Sequence, residues 1–193
     1  MNTIKLKLLT TAFIFILLAG SGESNSRGVS VDGTNFAPLV NIIDNQLHLK
    51  GAALLRYLVF IKAYAGALYL PEGVDGSHAL EDTPKHLVLE YRVAISAADF
   101  ADATARKIKD SVSSETYLKI QPHIQSLNQL YRDVQAGDRY SLTYIPGKGT
   151  QLTYNTTPLG TVEGSDFSRA LFSIWIGDNP IDKTFRDKLM GKI

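Results

Sequence analysis

Residues 46–70 read QLHLKGAALLRYLVFIKAYAGALYL, the longest apolar run after the N-terminal leader pattern. Leu47, Leu49, Ala53 and Leu55 alternate with His48, Lys50 and Ala52. That period of two marks a half-buried strand. From Leu54 onward the alternation fades. Leu58, Phe60, Tyr64 and Leu68 stand at one parity; Tyr57, Val59, Ile61, Ala63 and Tyr69 stand at the other. β-branched and aromatic residues at both parities predict strands covered on both faces. Pro71-Glu72-Gly73 closes the run with turn chemistry.

One arginine, Arg56, interrupts the run, between Leu54-Leu55 and Tyr57-Leu58. Its guanidinium is always charged and presents a planar fork to a carboxylate or another oxyanion. A charge inside an apolar strand needs a partner. Three readings follow: an anion anchor at the bottom of an apolar pocket, a structural ion pair with Glu90 or an aspartate, or a strand-end arginine reaching solvent.

Outward from this run, residues 29–31 and 36–43 predict strands, and Asp44-Asn45 a turn. Beyond it, residues 85–95 (KHLVLEYRVAI) predict a strand. Ser96, with Asp99 three residues on, predicts a helix start. Phe100, Ala103, Thr104, Lys107 and Ile108 then stripe a helix that runs to about residue 112. Pro122 suits the first turn of a second helix, with the stripe Ile124, Leu127, Leu130, Tyr131, Val134 and a stop at Gly137. Strands follow at 138–144, 150–154 and 159–162. Ser165 predicts the cap of a third helix, striped by Phe167, Ala170, Leu171, Ile174 and Trp175. A short helix over 181–190 ends the chain. No repeat or linker divides it, so the fold class is α+β in a single domain.

Composition narrows the function. The 193 residues carry a net charge of +1 and no cysteine. Nucleic-acid binding has no electrostatic footprint here, and disulfides and thiolate metal sites are excluded. His48, His78, His86 and His123 form no metal-ligand spacing, so no metal site is expected. Lys5 and Lys7 precede the apolar LLTTAFIFILL at 8–18, followed by small residues. This is the layout of a signal peptide, too short for a comfortable membrane span. We expect a leader at 1–21, a mature domain at 22–193, a periplasmic location and no stable membrane span after cleavage. The oligomeric state is left open.

Several stretches, in order, resemble the chalcone isomerase-like family, in particular its bacterial exported branch. They are GAALLR at 51–56, AYAGALYL at 63–70, AGDRY at 136–140, YIPGKG at 144–149, PLG at 158–160 and FSRALFSIWIGDNP at 167–180. The resemblance implies an open-faced β-sandwich, an antiparallel sheet with helices packed on one face and a ligand cleft between. It implies no metal or organic cofactor. In the family, an arginine matching Arg56 holds or polarises a ligand oxygen, in ring-closing plant enzymes and in plastid fatty-acid binders alike. Other enzyme positions differ: Phe100 stands where the enzymes carry a tyrosine, Lys107 where they carry an asparagine, and the strand threonine is replaced near Tyr64.

The expected function is therefore binding of a small apolar ligand with an anionic or carbonyl head, such as a fatty acid, without catalysis. Arg56 would meet the head, with Tyr64 and Lys107 assisting. The tail would lie along Phe60, Phe100 and the helix of Ile174 and Trp175. Two alternatives stand beside it. One is an intramolecular lyase of the chalcone isomerase type with Arg56 polarising the carbonyl. The other is a haem-binding or partner module.

Overall fold

The structure, a computed structural model, describes residues 28–58 and 60–192. The expected leader at 1–21 lies outside the described residues. The chain opens with a hairpin of β1 (Val29–Val31) and β2 (Thr34–Phe36). Asp32 and Gly33 connect them with φ of 49° and 84°. This is the two-residue turn whose left-handed backbone an Asp-Gly pair tolerates.

Seven further strands build one antiparallel sheet. They are β3 (Leu39–Ile42), β4 (Asn45–Tyr57), β5 (Ile61–Leu70), β6 (Lys85–Tyr91), β7 (Arg139–Ile145), β8 (Gly149–Tyr154) and β9 (Thr157–Val162). Each pairs with the next in sequence. Helices α1 (Ala97–Lys109) and α2 (Ser114–Leu130) connect β6 to β7, and α3 (Ser165–Ile176) and α4 (Lys183–Leu189) follow β9. The architecture is the expected α+β one: an antiparallel sheet whose helices pack on one face.

The 46–70 run becomes the long β4–β5 hairpin. Both of its faces are covered away from its tip, as the two apolar parities predict, but at the tip Tyr57, Leu58, Phe60 and Ile61 are exposed, against that expectation. On one face Leu55, Tyr64, Leu68, Leu87 and Leu89 meet Ile108, Leu171, Trp175 and Phe185 of the helices. On the other, Leu47, Ala65, Ala67, Tyr69 and Val88 pack with Phe36 of the β1–β2 hairpin. The expected single stripe from Leu47 to Leu55 does not exist. A bulge between Leu49 and Gly51 leaves Lys50 unmatched, and one extra residue reverses which side chains face which side. Leu47 and Leu49 therefore face the hairpin, whereas Ala53 and Leu55 face the helices. Gly51 follows the bulge because α4 ends against it. A Cβ there would stand 2.0 Å from the Lys188 carbonyl oxygen.

Two helix starts shift. Ser165 is not the cap of α3 but its first residue, after Gly164 as N-cap with no side-chain capping bond. Ser96 caps α1 as expected, accepting from the Asp99 amide at 3.1 Å. The second helix starts at Ser114, after the Ser113 cap and eight residues before Pro122, so the proline lies inside it. Proline's missing N–H and its ring oppose this position. Pro122 is on the exposed side, while Ile120, Ile124 and Leu127 bury the opposite stripe. Core packing outweighs one lost backbone bond. Strand β6 stops at Tyr91, short of the expected residue 95. Ile95 pairs instead with Val134 in an isolated bridge.

Candidate functional site

Between the helix-facing side of the sheet and helices α1 and α3 lies a cavity of about 810 Å³. That is within the usual range for small-molecule sites. Its floor comes from alternate positions of the strands: Tyr64 on β5, Leu89 and Tyr91 on β6, Tyr140 and Leu142 on β7, Leu152 on β8. Its roof is a helical stripe of α1, Phe100, Ala103, Thr104 and Lys107, joined by Ile174 and Trp175 of α3 and by Tyr131. The small Ala103 and Thr104 leave space that a larger residue in that stripe would fill.

Aromatic rings keep that space open. Phe100 stacks on Tyr131 at 5.4 Å between centroids and meets Tyr91 and Tyr140 edge-on at 5.2 and 5.3 Å. Tyr64 meets Tyr91 edge-on at 5.5 Å. Flat, stiff rings in such contacts prop one another and resist collapse into the void.

The interior is apolar with neutral hydroxyls. Trp175 donates its indole N–H to the Tyr64 hydroxyl oxygen at 2.9 Å, leaving the Tyr64 proton free to donate. Tyr131 and Thr104 share a hydrogen bond of 2.9 Å. The Tyr140 hydroxyl is engaged by the Arg132 backbone, accepting from its N–H and donating to its carbonyl. Tyr91 is 3% exposed and lines the cavity. Among the described residues its hydroxyl has no hydrogen-bond partner. Burial pushes the phenols of Tyr64, Tyr91, Tyr131 and Tyr140 above their ordinary value, so they stay protonated. Among the described residues the charges of the lining stand at the rim: Asp99, Arg106 and Lys107 of α1 and Asp110 at its C-terminal cap. There Tyr57 and Ile181, 62% and 49% exposed, complete the mouth.

Four of the five expected site residues thus come together around one cavity: Tyr64, Phe100, Lys107 and Ile174. Arg56 does not line it, and here the expectation is corrected. Tyr64 stands opposite Leu55, and Arg56 stands opposite Lys62, the irregularity between them leaving Ala63 unmatched. Residues directly opposite share a face, and Lys62 reaches Asp32 of the β1–β2 turn at 2.6 Å. Arg56 therefore sits on the side of the sheet away from the cavity and is exposed. Its neighbour Tyr57 points to the mouth instead. Nor does Arg56 pair with Glu90, whose carboxylate is held by Arg92 at 2.6 Å and Arg139 at 2.5 Å. Phe60 is corrected as well: at 88% exposure it lies on the hairpin tip, not along a bound tail.

The cavity also draws on residues read only as core or passed over: Tyr131, Tyr140, Thr104 and Arg106. Thr104 and Lys107 share the α1 stripe with Phe100, a signal available in the sequence. Tyr140 carried no such signal, since a strand tyrosine is usually core. No histidine lines the cavity. Among the described residues no three acidic or histidine side chains gather where a metal could be held.

A family model described as chalcone isomerase-like matches residues 28–191. No curated protein matches the chain. Among solved structures, a fatty-acid binding protein of Arabidopsis thaliana superposes with a TM-score of 0.67 at 16% identity, covering 82% of this chain and 92% of that one. At that identity the likeness is one of fold.

Proposed function

The chain belongs to the chalcone isomerase-like family, and we propose that it binds a long apolar ligand with a carbonyl or carboxylate head, of the fatty-acid class, without transforming it. The observation that carries this reading is the cavity's division. Its depth is lined by leucines and protonated phenols, and among the described residues its charges stand at the rim. A hydrocarbon chain passing Phe100 and Ile174 would be buried against Leu89, Leu142 and Leu152, each CH₂ contributing about 0.8 kcal/mol. A carboxylate drawn in with it would meet a large desolvation penalty. The head therefore stays at the mouth, beside Lys107 and Arg106. The free proton of Tyr64 and the unpartnered hydroxyl of Tyr91 supply hydrogen bonds to any further oxygen along the ligand. The fold of the Arabidopsis fatty-acid binding protein supports the same class. A cyclising lyase has less support, because the cation assigned to polarise its carbonyl, Arg56, is outside the cavity.

The setting we infer is the periplasm, on the strength of Lys5, Lys7 and the apolar stretch at 8–18. The mass of the exported protein's N-terminus tests that point; an intact Met1 in the cell envelope or cytosol rejects it.

Trp175 is the chain's single tryptophan and lines the cavity. Titration with a long-chain fatty acid should change its emission saturably, and native mass spectrometry of detergent-free protein should show an added mass released on denaturation. A flat titration together with bare protein rejects the reading.

A further inference from the structure

The β4–β5 hairpin ends in large apolar side chains turned to solvent. Tyr57 is 62%, Leu58 67%, Phe60 88% and Ile61 44% exposed. Leu58 has a φ of 48°, a conformation a bulky residue adopts only at some cost. The other exposed large apolar residues among those described are Val29, Ile43, Leu118 and Ile181. Scattered single residues of that kind need no explanation, but a contiguous exposed cluster does. This cluster also adjoins the cavity, whose mouth Tyr57 and Ile181 share.

Within the hairpin itself the charge has one sign. Residues 46–70 contain Lys50, Arg56 and Lys62 and no Asp or Glu. Arg56 and Lys62 stand directly opposite each other at the root of the tip. Like charges so placed repel. Lys62 is offset by Asp32, and among the described residues Arg56 has no carboxylate. Across the mouth, Arg106 and Lys107 stand beside Asp99 and Asp110, so that side is balanced.

We propose that the hairpin tip inserts into the surface of an anionic lipid bilayer, with Arg56 on the headgroup phosphates, and that this docking presents the cavity mouth to the membrane from which the ligand is loaded. An apolar projection flanked by cations is what the membrane interface selects: the rings and leucine enter the acyl boundary while the guanidinium stays among the phosphates. Ligands of the class proposed above reside in bilayers, and a mouth held at the surface spares them passage through water. The inference rests on that reading for its ligand but on the tip for its surface, so the two can fail separately.

The experiment uses the mature chain with vesicles of phosphatidylcholine, alone or mixed with phosphatidylglycerol. Wild type should co-sediment with the mixed vesicles and lose binding as salt rises. Phe60→Ser should weaken that binding roughly tenfold, as expected when one large side chain no longer buries its area. Because Phe60 is exposed, its replacement should leave thermal stability unchanged. Arg56→Gln should weaken binding to mixed vesicles and leave pure phosphatidylcholine unaffected. Transfer of a fatty acid from vesicles to Trp175 should slow in Phe60→Ser, while its affinity measured without vesicles stays that of wild type. Vesicle binding equal in wild type and Phe60→Ser overturns docking by the tip, and so does its absence in both. Concentration-dependent dimerisation that Phe60→Ser abolishes, without vesicle binding, assigns the tip to a second copy and also overturns it. An unchanged transfer rate overturns the loading role. If Trp175 ignores fatty acid in the vesicle-free titration, the cavity reading fails, and the co-sedimentation result still decides the docking.

Discussion

The same strands, β4 to β7, bury their two faces in opposite ways. The face under the β1–β2 hairpin is closed. Phe36, Leu47, Ala65, Ala67 and Tyr69 fill it, and a polar cluster seals its edge: Lys62 on Asp32, Arg92 on Asp32 and Glu90, Arg139 on Glu90. The face under the helices holds a larger core but leaves about 810 Å³ unfilled beside its aromatic rings. Small Ala65 and Ala67 let the closed face pack against a mere two-strand hairpin. Tyr64, Tyr91 and Tyr140 hold the helices off the sheet on the other. On the binding function proposed above, stability and binding belong to different sides of one sheet, and substitutions on the two sides should separate them.

The largest effect expected is on the closed side. Tyr69 is 2% exposed and lies 5.8 Å from the His86 ring. Tyr69→Ala leaves a hole that a hairpin cannot collapse into, and should cost about 3–5 kcal/mol in denaturant unfolding. Ligand affinity, extrapolated to fully folded protein, should be unchanged. A parallel loss of affinity would show that the two faces are not independent.

Next in size is the response to acid. His86 shares the closed face with Tyr69, contacts the Thr143 hydroxyl at 2.8 Å, and burial lowers its pKa from 6.5 to about 4. The folded protein thus keeps His86 neutral where the unfolded chain would already be protonated. Protons then favour unfolding, so stability is full above about pH 6.5 and falls as pH drops toward 4, by up to roughly 3 kcal/mol. His86→Gln should flatten that slope within the window. An unaltered slope would place the acid sensitivity elsewhere.

How much of this contrast the sequence carried depends on what sets each feature. Strand positions, the Ser96 cap and the apolar parities on both sides of residues 63–70 follow from local chemistry and were legible. So were Phe100 and Lys107 as one helix stripe, and Ile174 with Trp175 as another. The bulge at Lys50 was not, because a bulge has no composition of its own, yet it decides which face Leu47 and Leu49 occupy. The face of Arg56 follows from plain alternation with Leu55 and was legible. Leu58 and Phe60, which lie in turn conformation, are neither glycine, asparagine nor proline, so the sequence there read as continuous strand. Asp32-Gly33 was a hairpin signal obscured by its polar surroundings. Pro122 misled for the reverse reason: a strong local signal was outweighed by the buried stripe around it.

On the open side the expected effects are smaller and fall on binding. Tyr91→Phe removes a hydroxyl that has no partner among the described residues, so folding stability should hold or rise slightly. If a ligand oxygen uses that hydroxyl, affinity should drop by about 0.5–1.5 kcal/mol, a fewfold to tenfold. Tyr64→Phe is the sharper control, since it also strands the Trp175 N–H and should lower stability by about 1–3 kcal/mol. An affinity indifferent to both would leave the interior purely apolar in its dealings with the ligand.

The smallest contrast asks which cation meets the head. Lys107 lines the mouth, while Arg56 lies on the far side of β4. Both are accessible to water, so each charge is worth about 0–1 kcal/mol to a bound carboxylate. In vesicle-free titrations Lys107→Gln should lower fatty-acid affinity by that margin, less so at high salt, and leave the affinity for the corresponding alcohol unchanged. Arg56→Gln should do nothing there. The reverse pattern would mean that the hairpin tip refolds when ligand binds, carrying Arg56 around to the cavity. The division between the two faces would then belong to the empty protein alone.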